Sequence, residues 1–184
     1  MYLKKILLLL IFFIFISTSA YGVQTMDAKK NAYIHNNKGL MYLQDKYYFG
    51  AIKEFQIAID LNPNTQASAV FYTNLGNTYE AIGYYDLAQN CFEKALSLNV
   101  LYFDYYLKLA ENYEKQNIID EKLTEFQNKE YYPLNDIMIG LLYIQKGYVT
   151  TGITILDDFC NKEENLIITT GVRNYIDKLV KEKL

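Results

Sequence analysis

The stretch that decides the fold is residues 71–99, which read FYTNLGNTYEAIGYYDLAQNCFEKALSLN. Shifted by 37 positions, this stretch aligns with residues 34–62, and ten of the 29 aligned positions are identical. A match of this density at one fixed spacing indicates an internal repeat. The identical positions are Asn37/Asn74, Gly39/Gly76, Tyr42/Tyr79, Tyr47/Tyr84, Tyr48/Tyr85, Ala51/Ala88, Phe55/Phe92, Ala58/Ala95, Leu61/Leu98 and Asn62/Asn99.

Two further copies follow with weaker similarity. A shift of 34 aligns Tyr72, Leu75, Tyr79, Glu80 and Phe92 with Tyr106, Leu109, Tyr113, Glu114 and Phe126. A shift of 64 aligns Gly76, Tyr79, Gly83 and Tyr84 with Gly140, Tyr143, Gly147 and Tyr148. The sequence therefore predicts four copies, named here copy one (32–65), copy two (69–102), copy three (103–132) and copy four (133–166).

The spacing of apolar residues predicts that each copy is a pair of α-helices. In the second half of copy two, the apolar residues fall at helical intervals and not in the strict alternation of a strand. Gly83, Gly147 and Asn117 lie between the two halves of a copy, where a helix often ends on a left-handed residue. Pro63 and Pro133 lie at boundaries between copies, where they interrupt no helix. An all-α fold follows.

These positions resemble the tetratricopeptide repeat, a helix-turn-helix unit of 34 residues. Its pattern of a small residue, a tyrosine, an alanine, an aromatic residue and a second alanine is met by Gly76, Tyr79, Ala88, Phe92 and Ala95 in copy two, and by Gly39, Tyr42, Ala51, Phe55 and Ala58 in copy one. Copy three departs from it, because Lys122 and Lys129 stand where alanines are expected. The resemblance implies a right-handed superhelical α-solenoid. The two lysines predict that the second helix of copy three is the least stable part of the array.

The chain after the fourth copy is expected to close the array, because an array needs a polar cap at each end. Val172, Ile176, Leu179 and Val180 form one apolar stripe among charged residues. We therefore predict a C-terminal capping helix within residues 167–184 that packs on copy four. Residues 168–171 are expected to be non-helical.

The first residues have the pattern of a secretory signal peptide. Lys4 and Lys5 precede an apolar run of eleven residues, 6–16, which small residues follow. This length is typical of a signal peptide and too short for a spanning helix. We expect a signal peptide at 1–20 with cleavage after Ala20, or alternatively after Gly22, and a lead-in at 21–31. The protein is then exported, periplasmic or secreted, without stable membrane insertion; the alternative is an uncleaved segment that tethers it to the membrane.

The composition excludes several classes of protein. The chain has 184 residues, a net charge of -3, 51% hydrophobic residues and 21% charged residues. Such a chain is neither disordered nor a binder of nucleic acid, which requires a basic face. No catalytic triad, phosphate-binding loop or metal-spaced cluster is present in the sequence, so we expect no enzyme, no cofactor and no metal site. The scarcity of arginine beside abundant Ile, Asn, Lys and Tyr is typical of a bacterial AT-rich genome.

Three isolated features have structural interpretations. His35, the one histidine, is expected to be a structural or partly exposed residue, because neither a second His nor a Cys accompanies it. Cys91 and Cys160 lie on outer helices two copies apart, which favours two buried thiols over a disulfide. The tyrosine pairs at 47/48 and 84/85 occupy equivalent turns between helices and are expected to pack there rather than to form a ligand platform.

The resemblance also implies a concave groove that is lined by the first helices of successive copies and holds a peptide. The positions of this groove in copies one and two are Tyr33, Asn36, Leu40, Leu43, Val70, Thr73, Asn77 and Glu80. In copies three and four they are Asp104, Leu107, Lys108, Glu111, Glu114, Leu134, Ile137, Leu141 and Ile144. Some members of the family hold a carboxyl-terminal tail with five basic or amide residues, of which only Asn74 and Lys108 are matched.

The predicted function is a non-enzymatic scaffold that binds a protein or peptide in this groove outside the cytoplasm. The groove is apolar at both ends and acidic in the middle, which suits a segment with apolar and basic residues. The copy-four stripe could equally be buried under the C-terminal helix. The alternative function is a self-associating structural or accessory subunit of a cell-envelope complex, a homo-oligomer joined through Leu134, Ile137, Leu141 and Ile144.

Overall fold

The computed structural model describes residues 26–130 and 132–183, and these residues are entirely helical and turn structure. Helix α1 covers residues 26–44. The other helices are α2 (Tyr48–Leu61), α3 (Gln66–Ala81), α4 (Tyr85–Leu98), α5 (Phe103–Lys115), α6 (Ile119–Asn128), α7 (Pro133–Gln145), α8 (Val149–Lys162) and α9 (Ile167–Lys183). The predicted all-α fold of paired helices is confirmed. The predicted signal peptide lies outside the described residues.

The chain divides into two compact units, one up to Pro63 and one from Asn64 onward. Unit one contains the α1–α2 pair. Its helices pack through a notch at Gly39, where an added Cβ atom would lie 2.6 Å from Cε1 of Phe55. Ala51 and Ala58 of α2 are completely buried beside that ring. The small and large residues that the repeat pattern pairs are therefore the ones that let the two helices approach.

Unit two contains three helix pairs and α9. The notch of copy one recurs at Gly76, whose Cβ would lie 2.6 Å from Cε1 of Phe92, and at Gly140, whose Cβ would lie 2.8 Å from Leu156. The main core of the unit runs from Ala88 and Phe92 through α5 and α7 to α9. In α6, by contrast, Leu123 is the one buried residue.

All four helix pairs turn with the same backbone geometry. The first helix of each pair is followed by a residue in the left-handed conformation. This was expected at Gly83 (φ 81°), Gly147 (φ 93°) and Asn117 (φ 59°), and it also occurs at Lys46 (φ 58°). The next N–H then donates to the carbonyl five residues back, for example from Tyr84 to Tyr79 at 2.9 Å. This is the Schellman arrangement, which satisfies carbonyls at a helix end. A lysine in this conformation was not evident from sequence.

Helix α9 corrects one detail of the sequence prediction. Residues 168–171 are helical, because α9 begins at Ile167. Gly171 lies inside this helix where α9 approaches α5, and a Cβ there would lie 2.9 Å from the Cβ of Phe103. A glycine that looked like a helix breaker thus serves close packing between helices. Of the predicted apolar stripe, Val172 and Leu179 are buried, whereas Val180 is exposed.

Candidate partner-binding groove

Helix α3 supplies the copy-two residues that were predicted to face the groove. Its start is fixed by a capping box, in which the Ser68 N–H donates to Oγ1 of Thr65 at 3.2 Å and the Thr65 N–H donates to Oγ of Ser68 at 2.7 Å. Val70 is exposed, and Thr73 and Asn77 are half-buried on the same face. The α3 face therefore presents short polar and branched apolar side chains to solvent.

Glu80, the fourth predicted position on α3, has a structural role. Its carboxylate accepts a hydrogen bond from Nδ2 of Asn112 at 2.9 Å and forms an ion pair with Lys115 at 2.6 Å. Asn112 is completely buried and also donates to the carbonyl of Tyr85 at 3.3 Å. Since Gln116 donates to Oδ1 of Asn112 at 2.7 Å, these polar groups hold α5 against copy two.

Helix α5 carries the acidic part of the predicted surface. Asp104 and Glu114 are exposed and Glu111 is half-buried, where it pairs with Lys108 at 2.8 Å. The charge of Asp104 and its hydrogen bond to the Tyr102 hydroxyl raise the pKa of that tyrosine. Leu107 is half-buried against the main core. This helix contains three carboxylates and two ammonium groups, those of Lys108 and Lys115, so its net charge is -1.

The predicted groove residues of copy four are buried. Ile137 and Leu141 have no exposed surface, and Leu134 and Ile144 are 4% and 6% exposed. The same core contains Ile168, Val172 and Leu179 of α9. Helix α9 packs on α8 and also reaches α5, where the rings of Tyr175 and Phe103 are 5.4 Å apart.

Of the two alternatives for copy four, the structure therefore supports burial. Ile137, Leu141 and Ile144 are buried in a core that also contains residues of α9, so the structure does not present them to a partner. Leu134 is buried with them, so the structure does not present this stripe for self-association either.

Two hydrogen bonds fasten α9 to the end of α8. Thr169 Oγ1 donates to the carbonyl of Glu163 at 2.7 Å, and Arg173 donates to the carbonyl of Cys160 at 3.2 Å. Ile168, which precedes Thr169, and Val172, which precedes Arg173, are fully buried. Burial of several such side chains contributes on the order of 1.5–3 kcal/mol each. Helix α9 is therefore an integral part of unit two.

In unit one, three of the four predicted groove residues retain exposed surface. Tyr33 and Leu40 are exposed and Leu43 is half-buried, whereas Asn36 is buried. The amide of Asn36 contacts Oδ1 of Asn37 at 3.4 Å. Asn36 was predicted to contribute to a binding surface, but the structure buries it.

A buried carboxylate in unit one was missed by the sequence argument. Glu54 on α2 forms an ion pair of 2.6 Å with Lys38 of α1 and a hydrogen bond of 2.6 Å with Nδ1 of His35 of the same helix. The hydrogen bond from Lys38, followed by that from His35, lowers the pKa of this carboxyl group. His35 is thus a structural residue, as expected. One signal for it was available in the sequence: the shift of 37 aligns Glu54 with Cys91, a position that was predicted to be buried.

Other isolated residues follow the sequence predictions in part. Cys91 and Cys160 are separate, buried thiols, and burial raises the pKa of Cys91 to about 12. The tyrosines of the turns divide: Tyr48 and Tyr85 are half-buried, but Tyr47 and Tyr84 are exposed. Tyr47 nevertheless packs at its turn, because its ring lies 5.3 Å from that of Tyr42.

Two further features are absent from the part of the chain that the structure describes. No helix within 26–130 and 132–183 is long and apolar enough to cross a membrane. In the same part of the chain, no three acidic, histidine or cysteine side chains are grouped as metal ligands.

Residues 69–99 match the family described as the tetratricopeptide repeat. Among solved structures, the chain is similar to a tetratricopeptide repeat protein from Parabacteroides merdae ATCC 43184, with 17% identity, 83% of this chain and 61% of that chain covered, and a TM-score of 0.51. It is also similar to MamA, with 23% identity, coverages of 78% and 84%, and a TM-score of 0.50. No curated protein sequence matches.

The fold and the turn geometry define an α-helical repeat protein that is built from helix pairs. Residues 69–99 match the tetratricopeptide repeat itself, and the same arrangement of paired helices continues through copies three and four. At identities below 25%, the structural similarities concern the fold alone.

Proposed function

We propose that this protein is a non-enzymatic scaffold that binds a peptide segment of another protein on the α3 and α5 faces, outside the cytoplasm. The observation that carries the proposal is the contrast between equivalent stripes of unit two. Val70, Asp104 and Glu114 are exposed on α3 and α5, whereas the α7 stripe is buried. A preformed helical surface of this kind loses little conformational freedom on binding.

The chemistry of the two faces favours a particular kind of segment. Helix α5 carries the carboxylates of Asp104, Glu111 and Glu114 against the two lysines Lys108 and Lys115, a net charge of -1, and Lys115 is already paired with Glu80. The α3 face adds Val70 and neutral polar groups. Opposite charge on the partner speeds association and fixes its register. The expected ligand is a peptide with basic residues along α5 and an apolar residue near Val70.

An acidic carboxyl-terminal tail is a poor fit to this surface. Of five positions that hold such a tail in some family members, only Asn74 and Lys108 have suitable residues here. Lys108 is already paired with Glu111 at 2.8 Å. An acidic tail would therefore meet Asp104 and Glu114 without compensating basic groups.

Site-specific crosslinking tests the binding surface. A photoreactive residue at Asn77, on the α3 face, should capture one defined protein in the native cell, whereas the same residue at Asn90, exposed on α4, should not. Mass spectrometry then identifies the captured segment. Equal capture from both positions, or background alone from Asn77, would refute a site on this face.

Charge reversal tests the expected chemistry. The double variant Asp104→Lys/Glu114→Lys should weaken binding of the captured segment by at least about tenfold, because both carboxylates are exposed and lie beside the expected basic residues. Added salt should also weaken binding of the segment by the unaltered protein, because salt screens the attraction between opposite charges. If the double variant binds equally well, the charge argument is wrong even where the crosslink persists.

The extracytoplasmic location is supported by the charged, apolar and small-residue order of residues 1–20. Cell fractionation followed by amino-terminal sequencing tests it. A processed chain that begins at Tyr21 or Val23 in the periplasm or the medium is the expected result. A full-length chain in the cytoplasmic fraction would contradict the proposal.

A further inference from the structure

The outer face of α1 in unit one carries exposed apolar residues where other copies have buried ones. Ile34 is 54% exposed and Met41 is 65% exposed. In copy three the equivalent residues, Tyr105 and Asn112, are 5% and 0% exposed. An exposed pair of large apolar residues on one helix face indicates a surface that is covered by another molecule.

Copy three shows what normally covers this face. Tyr105 shares a small core with Ala69 and Ala95 of copy two. Asn112 donates hydrogen bonds to Glu80 and Tyr85 of the same copy. The face at these positions is therefore the one that a copy uses to pack against the preceding copy.

The charges on the α1 face are arranged symmetrically about Met41. Ile34, Lys38, Met41 and Asp45 are spaced by four, three and four residues, so they lie along one side of the helix and all four are exposed. The N–H of Asp45 donates to the carbonyl of Met41 at 3.0 Å, which keeps Asp45 on the helical path. One cation and one anion thus flank Met41 at nearly equal distances, and the face has no net charge.

We infer that this face, Ile34–Lys38–Met41–Asp45, is a homodimer interface in which α1 packs antiparallel against α1 of a second copy. With the two-fold axis beside Met41, the two Met41 side chains meet at the centre. Lys38 of each copy then lies opposite Asp45 of the other, which forms two equivalent ion pairs. A self-complementary patch of this kind is what a two-fold interface requires.

Two further observations favour a second copy as the occupant. Phe49, which is 70% exposed, lies just after the turn that ends α1, and the antiparallel arrangement brings Ile34 of the other copy toward that turn. At the other end of the chain, α9 presents Arg173, Asp177 and Lys178 to solvent instead of an apolar face. A face that is self-complementary about a two-fold axis forms a closed pair and not a filament.

Lys38 keeps its intramolecular partner in this arrangement. Its ammonium group pairs with Oε1 of Glu54 at 2.6 Å, while 49% of the side chain remains exposed. The group has three donors, so it can bind Glu54 and the Asp45 of a second copy together. The inference goes beyond the proposed function, because this face is separate from the α3 and α5 faces.

Sedimentation equilibrium of the full chain tests the interface. The unaltered protein should pass from monomer to dimer as its concentration rises. Met41→Lys should raise the dissociation constant at least about tenfold, because it places two ammonium groups at the axis. The matched control is Leu87→Lys, which changes an exposed leucine on α4 and should leave the dissociation constant unchanged. A monomer at all concentrations, or a Met41→Lys dimer of unaltered stability, would overturn the inference.

Two further variants test the geometry. Asp45→Lys leaves the Lys38–Glu54 pair intact and should weaken the dimer, and adding Lys38→Asp should restore it if the double variant keeps the helical circular dichroism of the parent. Met41→Cys should form a disulfide between copies under mild oxidation, since two-fold-related side chains meet at the axis. Failure of Met41→Cys to crosslink while the chain sediments as a dimer would place the contact elsewhere and refute this interface.

Discussion

Copies two and three have the same backbone plan and differ in how their two helices meet. In copy two, α3 and α4 approach closely through Gly76, and α4 buries Ala88, Phe92 and Ala95. In copy three, α6 has ten residues and buries Leu123 alone, and α5 and α6 approach closely at few points. One repeat pattern thus supports both a tightly packed helix pair and a loosely packed one.

The difference originates in two lysines. Lys122 and Lys129 stand where copy two has Ala88 and Ala95. The Nζ atom of Lys122 lies 5.4 Å from the ring centre of Tyr113, and that of Lys129 lies 4.1 Å from the ring centre of Phe126. A long cationic side chain needs space and water where an alanine permits contact between helices. Local ion pairs with Glu125 replace part of the lost packing.

Truncation of the equivalent aromatic residues should give the largest difference. Phe92 is 1% exposed, whereas Phe126 is half-buried. We expect Phe92→Ala to lower the free energy of unfolding by about 3–5 kcal/mol and Phe126→Ala by about 1–2 kcal/mol, because only the first leaves an enclosed cavity. Urea denaturation of the two variants measures both values. Equal losses would show that copy three is as tightly packed as copy two.

Filling the notch of copy two should have the next largest effect. Gly76→Leu is expected to cost about 3 kcal/mol, because its Cβ would lie 2.6 Å from Cε1 of Phe92. The matched control is Ala81→Leu at the exposed end of the same helix, which should change stability by less than about 0.5 kcal/mol. Thermal unfolding followed by circular dichroism compares them. A tolerated leucine at 76 would mean that the glycine does not set the distance between helices.

Local stability should follow the same order. Backbone amides of α6 are expected to exchange faster than those of α4, since α6 can open with the loss of one buried apolar side chain, Leu123. Hydrogen exchange resolved by mass spectrometry measures both segments in one experiment. If residues 119–128 are as well protected as residues 85–98, the prediction that copy three is the least stable part of the array is wrong.

The smallest expected effect is a pH dependence confined to α6. Hydrogen bonds from Lys122, and then from Lys129, lower the pKa of Glu125 below its ordinary value of 4.5. A carboxyl group whose pKa is lower in the folded state stabilises that state above its unfolded pKa, and this contribution is lost as the pH falls through the folded pKa. Exchange of α6 amides, corrected for the intrinsic rate, should therefore accelerate below about pH 4.5. The Glu125→Gln variant should lack this acceleration.

Much of the fold could be predicted because its determinants lie close together in the sequence. The spacing of Ala88, Phe92 and Ala95 defines one helix face, and Gly83 marks the turn that precedes it. Lys46 takes the same left-handed conformation as Gly83, with which the shift of 37 aligns it, although lysine as a residue type does not favour that conformation. The candidate site was predicted less well, because exposure depends on elements far away in the chain.

The sequence by itself determined the helix pairs, the small and large residues at their crossings, and the two lysines that accompany the sparse packing of α6. These features arise from contacts within one copy, which a periodic pattern specifies directly. Only the tertiary structure decided which predicted binding residues remain accessible. Ile137 and Leu141 share a core with residues of α9, Glu54 bonds to Lys38 and His35 of α1, and Gly171 lets α9 approach α5 closely. Such pairings depend on how whole helices stack on one another. The spacing of residues along the chain does not specify which helices come into contact.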